Sequence, residues 1–342
     1  MKAAIFVKPG TMTVEEVPMA RLEADDDIVI RVVRACVCGS DLWFFRGLSP
    51  QDAHSQVGHE SIGVVEQVGS AVESVKKGDF VVVPFPYSCG KCPVCEAGFE
   101  SVCPHGGYFS ACQAEYLRVP EADGTVVKVP GSPQDYSDAM LASLLTVSDV
   151  MSTGYHAAVS AEVKPGDTAV VMGDGAVGLC GVIAAKMLGA KRIISMSRHE
   201  DRAALAREFG ATDIVPERDQ AAIDKVLEMT GGYGADAVLE CVGSKQSFDT
   251  ALGLARRGAV IGRVGLPHDV EINALGTFFG NIGIKGGPAP VRHYDLGGLL
   301  DAVLKGEINP GRVFTGEYDL DHIQDAYDAM DQRKVIKALI RF

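Results

Sequence analysis

The sequence predicts an α/β protein: a β-rich domain joined to a doubly wound domain whose parallel sheet carries helices on both faces. Three observations lead there. Residues 1–150 are rich in Val-dominated runs broken by Gly, Pro and Asp. A strand–helix alternation begins near residue 154. The C-terminal "VIKALIRF" returns to β-like sequence. At 342 residues the chain exceeds one small core, and 47% hydrophobic with 23% charged residues marks it as globular.

The early strands are "DIVIRVVRA", "SIGVVEQVG" and "DFVVVPFP". "DTAVVMG" opens the alternating region, and "AVGLCGVIAAKMLGA" follows as a helix ending at Gly189. "KRIISMS" reads as a strand and "HEDRAALAREFGA" as an amphipathic helix. "DAVLECVG", "GAVIGRVG" and "NIGIKGG" are later strands, and helices are expected near 294–305 and 321–332. The expected division is 1–153, 154–287, and 288–342 returning to the first domain.

Charge and targeting signals narrow the function. A net charge of −13 argues against a nucleic-acid or anionic-membrane partner. No apolar run reaches the roughly 18 residues of a membrane span. "MKAAIFVKPG" lacks a long apolar segment with a small-residue cleavage site. A cytoplasmic location is therefore expected, where clustered cysteines read first as metal ligands.

Four of the nine cysteines fall within Cys89-x2-Cys92-x2-Cys95-x7-Cys103. Gly90, Pro93 and Gly98 supply turn chemistry between them. Four thiolates make a closed tetrahedral zinc site that holds a loop together and leaves no position for a substrate. A redox dithiol fits four such thiols poorly; an iron–sulfur cluster also takes four cysteines.

"VVMGDGAVGL" contains Gly173-x-Gly175-x-x-Gly178 between an apolar strand and a helix that opens with Ala176 and Val177. That context makes it a dinucleotide fingerprint. The first glycine turns the chain, the second lets backbone approach a pyrophosphate, and the third lets helix and strand pack. The N–H groups of the helix end bind the phosphates. At the end of the second strand, "ISMSRHEDR" offers Ser197 and Arg198 where an NAD-binding carboxylate is expected. A guanidinium there suits a 2′-phosphate, which favours NADP over NAD. Ser197-x-x-Glu200 also reads as a capping box for the next helix.

Upstream, "RACVCGSDLW" and "VGHESIG" bring Cys38, His59 and Glu60. A catalytic zinc keeps three protein ligands and one exchangeable position, and Cys38 and His59 are candidates for two. Cys36 is expected in the core.

"CGSD", "GHE", the four-cysteine loop and the Gly-rich turn, in this order, resemble zinc-dependent medium-chain alcohol dehydrogenases across essentially the whole chain. The resemblance implies a GroES-like catalytic domain interrupted by a Rossmann domain, and reversible hydride transfer between an alcohol and NAD(P). It supplies Asp149, in "LTVSDVMSTGYHAA", as the third ligand, with Glu60 as an exchange ligand. Asp in place of Cys is the pattern of the bacterial secondary-alcohol branch, many of whose members use NADP. The resemblance further implies that Ser40 relays the alcohol proton and that Asp41 orients His59. It places Thr153, Val242, Val264 and Leu266 at the cofactor, and Lys337 where relatives carry a pyrophosphate-binding arginine. Where several members have a relay histidine this chain has Trp43, leaving water or His54 as the outer route; Trp43 and Phe44 are expected to wall the substrate pocket or to pack in the core. A homo-dimer or homo-tetramer with two zinc ions per chain is expected. Polyol and threonine oxidisers share these motifs. A zinc-free quinone or enoyl reductase would lack the ligand cysteine and the cysteine loop, and a zinc-ribbon binding module would lack the second metal set.

Overall fold

The computed structural model describes residues 1–268 and 270–342. The chain divides into two compact units, Met1–Ser152 with Pro290–Phe342, and Thr153–Ala289.

The first unit is built around the strand Ile28–Cys36, in which every residue but Arg31 is buried. A Val- and Ile-rich strand of this kind suits the centre of a sheet. It pairs antiparallel with Ser61–Val68 on one side and with the terminal strand Lys337–Arg341 on the other. Phe80–Val83 and Val127–Val129 extend the sheet beyond Ser61–Val68, and Phe314–Asp319 lies parallel beside the terminal strand. The C-terminal segment thus closes the sheet that the N-terminal segment begins. Ile28, Ile30, Val65, Val81, Val83 and Tyr327 belong to its core.

The second unit is a six-stranded parallel sheet. Its strands, in spatial order, are Asp213–Val215, Arg192–Met196, Thr168–Met172, Ala235–Glu240, Ala255–Arg263 and Gly283–Gly286. Numbered along the chain this is 3-2-1-4-5-6, so the order reverses between Thr168–Met172 and Ala235–Glu240, where such sheets bind dinucleotides. The helix after the first strand runs Ala176–Met187, and Gly189 takes φ 87° as it leaves. Only glycine takes that backbone without strain.

One expected helix is broken. Over 294–305 the chain forms Val291–Tyr294 and Leu300–Leu304, interrupted by a wide turn in which Gly298 has φ 115°. The adjacent Gly297 and Gly298 have no Cβ to hold helical dihedrals there. The later helix runs Ile323–Asp331. Among the described residues, no helix is long and apolar enough to cross a membrane.

Candidate functional site

The four loop thiols converge. Cys92 precedes the short helix Pro93–Glu96, which turns Cys95 back toward it. Gly90, at φ 68°, lies where a Cβ would sit 2.7 Å from the Gly124 Cα, so the loop seats backbone against backbone. Sγ separations are 3.5 Å for Cys92–Cys95, 3.8 Å for Cys92–Cys103 and 3.6 Å for Cys103–Cys89. Zn–S bonds of about 2.3 Å in a tetrahedron imply S···S of roughly 3.8 Å. A disulfide requires about 2.05 Å. The thiols are free, buried, and spaced for one ion. Backbone N–H groups of Cys95 and Val94 hold the Cys92 thiol down to about 7, and the His105 N–H lies 3.4 Å from the Cys103 sulfur.

A second set forms where strand ends meet. The register pairs Ala35 with Ser61. Antiparallel pairing therefore sets the residues after Cys36 beside those before Ser61, and Cys38 meets His59 and Glu60. Asp149 arrives at the start of the helix Val150–Ser160. One donor atom from each of Cys38, His59, Glu60 and Asp149 lies within 4.8 Å of all the others. The Asp149 Oδ2 is 3.7 Å from the Cys38 Sγ and 3.3 Å from the His59 Nε2, and the Glu60 Oε1 is 3.9 Å from that nitrogen. Thiol and carboxylates packed this closely are costly to bury without a cation. The donor set fits a metal ion on that ground.

The surroundings orient these donors. Asp41, 4% exposed, places Oδ1 3.5 Å from the His59 Nδ1. Its Oδ2 accepts the Cys38 N–H at 2.9 Å and a Gln113 N–H at 3.4 Å. Gln113 also donates to the Cys36 carbonyl and accepts from the Tyr327 hydroxyl. The Glu60 Oε1 accepts from Lys337 at 2.7 Å, while its buried Oε2 has no hydrogen-bond partner among the described residues. Burial raises the Cys38 and Glu60 pKa values. Burial also works against a charge on His59, yet Cys38, Asp41 and Asp149 hold its pKa well above the usual value. Ser40 stands at the N-terminus of the helix Asp41–Phe45 without capping it, and its hydroxyl makes no hydrogen bond among the described residues.

In the second unit, Gly173 has φ 103°, and a Cβ on Gly178 would lie 1.9 Å from the Gly173 carbonyl oxygen. A Cβ on Gly175 would meet nothing within 4 Å, so open space remains at the N-terminus of the twelve-residue helix Ala176–Met187. Free N–H groups facing open space suit a phosphate. Gly154 brings Val150–Ser160 against that helix: a Cβ there would lie 2.6 Å from the Gly181 nitrogen. Thr153, buried, precedes that contact. Val242 and Leu266 are 46% and 57% exposed beyond the ends of their strands, and Val264 is half-buried.

The description "Alcohol dehydrogenase GroES-like domain" matches residues 24–131, and "Zinc-binding dehydrogenase" matches 176–295. Zinc-type alcohol dehydrogenase B of Aspergillus flavus is 36% identical over 356 residues, covering all of this chain and 81% of that protein. The chain belongs to the zinc-type alcohol dehydrogenase family. Sorbitol dehydrogenase of Bacillus subtilis is 30% identical over 98% of this chain and 94% of its own length. The structure of an alcohol dehydrogenase from Thermus sp. ATN1 superposes with TM-score 0.90 at 30% identity, covering 100% of this chain and 99% of that one.

Several expectations change in the folded dehydrogenase. Lys337 is no surface donor for a pyrophosphate: it is 1% exposed and donates to Glu60 and to the Val37 carbonyl. The terminal strand carries it there, since Leu339 pairs with Cys36 and so sets Lys337 opposite Cys38. Ser197 does not cap the next helix, whose N-cap is His199. Its hydroxyl donates to the Asp174 carboxylate at 2.8 Å. A carboxylate therefore does stand at the end of the second strand, delivered by the Gly-rich turn, and Arg202 pairs with it at 3.4 Å. Asp174 lies in the Gly-rich turn and not on the second strand, so spacing along that strand does not reveal it. Arg198 is exposed and has no ion pair among the described residues. His54 pairs with Glu15 at 3.3 Å with a side chain 66% exposed, and among the described residues no bond joins it to Ser40. Phe44 packs on Phe6 and Tyr327 in the core. An aromatic that does lie beside the metal set is Phe85, 6.2 Å from the His59 ring and stacked on Tyr108 at 5.8 Å. Its only sequence signal is an aromatic held between Pro84 and Pro86, at the end of the strand before the cysteine loop.

Proposed function

We propose that Cys38, His59 and Asp149 hold the catalytic zinc, with Glu60 as exchange ligand, and that Cys89, Cys92, Cys95 and Cys103 hold a second, structural zinc. The observation that carries this reading is the meeting of four donors within 4.8 Å beside an Asp41 positioned on His59. A zinc ion bound there would supply Lewis acidity, polarising a carbonyl or lowering the pKa of an alcohol.

The chain's own groups do the rest. Asp41 accepts the His59 Nδ1–H, which leaves Nε2 as the lone-pair donor. Ser40, with an uncommitted hydroxyl, takes the proton of the alcohol and passes it to the cofactor ribose or to water. Phe85 and Tyr108 form an apolar wall that keeps water from the reacting carbon. Overall, the alcohol carbon gives a hydride to the nicotinamide, the oxygen gives a proton, and a ketone or aldehyde remains.

The Gly173–Gly178 turn, with Ala176 and Val177, is proposed to hold the pyrophosphate, with Thr153, Val242, Val264 and Leu266 lining the cofactor. NADP is the preferred dinucleotide: Arg202 offsets the Asp174 charge, so the exposed Arg198 remains for a 2′-phosphate. The substrate is a small secondary alcohol, as the aromatic wall and the Asp149 ligand favour; the sorbitol dehydrogenase among its relatives keeps a polyol as the second reading. A cytoplasmic homo-dimer or homo-tetramer is the proposed state, and one face of the second unit supports association. There the edge strand Gly283–Gly286 lies near Leu275, Phe278 and Phe279, 68%, 76% and 69% exposed. Such an edge is commonly covered by a second copy.

The test is the zinc-loaded protein with NADP and NAD against secondary, primary and polyhydric alcohols. The highest kcat/KM is expected for a small secondary alcohol with NADP. Reduction of neither cofactor by any alcohol would overturn the reading, and a polyol optimum would favour the alternative.

A further inference from the structure

Glu240 ends the fourth strand of the parallel sheet and is 0% exposed. A carboxylate buried so completely needs strong partners. Its Oε1 accepts three hydrogen bonds: from the Val242 N–H at 2.9 Å, the Gly243 N–H at 2.9 Å and the Ser247 hydroxyl at 2.7 Å. Its Oε2 has no hydrogen-bond partner among the described residues. The main-chain carbonyl of the same residue accepts the Val264 N–H at 3.0 Å and the Gly265 N–H at 3.1 Å. One residue therefore ties down the loop after its own strand and the loop after the next.

Those two loops are fitted to each other without side chains between them. A Cβ on Gly243 would lie 2.1 Å from the Leu266 carbonyl oxygen, and a Cβ on Gly265 would lie 2.2 Å from the Gly243 nitrogen. The His268 N–H closes the contact on the Gly243 carbonyl. On its other side the first loop leans on the phosphate turn, since a Cβ on Gly173 would meet a Val242 methyl at 3.1 Å. Small displacements of residues 241–244 would therefore be transmitted to Val264 and Leu266. The Gly-rich turn itself is secured elsewhere, by Asp174 with Ser197 and Arg202.

We infer that Glu240 is a positioning residue: its buried carboxylate locks the paired loops 241–244 and 264–268 in the geometry that presents Val242, Val264 and Leu266 to the nicotinamide half of the dinucleotide. This rests on the proposal that the sheet's carboxyl edge binds NAD(P). The adenosine half is held by a different part of the edge and does not depend on Glu240.

The experiment compares two probes on the full-length, zinc-loaded protein: NADPH, and 2′-phospho-ADP-ribose, which lacks the nicotinamide. In Glu240→Ala, NADPH binding is expected to weaken roughly tenfold or more, comparable to losing a hydrogen bond to a charged group. Binding of 2′-phospho-ADP-ribose should stay within about twofold. Glu240→Gln, which keeps the Oε1 acceptor, should recover most of the difference. If Glu240→Ala does not fold, Ser247→Ala removes one donor to Oε1 and should show the same selectivity on a smaller scale. Equal losses for both probes, or no loss for either, would overturn the inference. Failure of the unaltered protein to bind either probe, or NADH and ADP-ribose in their place, would instead overturn the cofactor reading and the inference with it.

Discussion

The Lys337 ammonium lies 2.7 Å from the Glu60 carboxylate, with the two side chains 1% and 0% exposed. This pair joins the last strand of the chain to the residue beside His59. Burial works against the Lys337 charge, yet Cys36, Glu60 and Cys38 hold its pKa above the usual lysine value. A positive charge is thus fixed behind a cluster of anionic donors.

Replacing Lys337 by Met leaves Glu60 buried without its partner. Breaking such a pair costs about 3–5 kcal/mol. The zinc-loaded protein should lose less than the chelator-treated protein, because a metal cation compensates the carboxylate. Thermal unfolding of both forms, with and without the substitution, measures the difference. Equal losses in the two forms would show that Glu60 does not sense the metal.

The two donor sets should be separable. Cys95→Ser is expected to lower zinc content by one per chain and reduce the thermal midpoint, because a closed thiolate site contributes folding energy. Cys38→Ser should also remove one zinc, yet abolish turnover with a smaller loss of midpoint. Metal analysis and calorimetry on both variants check this. Unchanged zinc content in either would remove that set from the metal sites.

Arg198→Asp should lower kcat/KM with NADP roughly 10- to 100-fold, the range of one charge-assisted hydrogen bond of about 1.5–3 kcal/mol. With NAD the change should be small. An unaltered NADP/NAD ratio would exclude Arg198 from cofactor selection.

His156, 8% exposed, is pushed down to about 4 by burial. Its folded pKa lies below its unfolded value near 6.5, so between those values the unfolded chain binds the extra proton. Stability is therefore fully present above pH 6.5 and falls as pH drops toward 4, by on the order of 3 kcal/mol. His156→Gln should flatten the fall in thermal midpoint over that window. An identical pH profile in the variant would assign the acid sensitivity to other groups.

The sequence carried the local features well. The thiol loop was legible because its four ligands lie within one short segment, where spacing alone constrains geometry. The Gly-rich turn was legible because its strand and helix are contiguous. Asp149 was reached only through resemblance, since 89 residues separate it from Glu60. The resemblance that sets Lys337 at a pyrophosphate-binding position does not reveal its burial, because its sequence neighbours do not show what its strand pairs with. The capping-box reading of Ser197 failed for a similar reason: a carboxylate 23 residues earlier competes for the same hydroxyl.

Residue order by itself determined the α/β class, the four-cysteine loop and the Gly-rich turn between strand and helix. Each rests on periodicity or on contacts within a few residues, which the chain specifies locally. Tertiary structure alone decided that Glu60 pairs with Lys337 and that Asp174 takes Ser197 and Arg202 as its partners. Strand register and strand order set those pairings, and both are properties of packed sheets that distant segments build together.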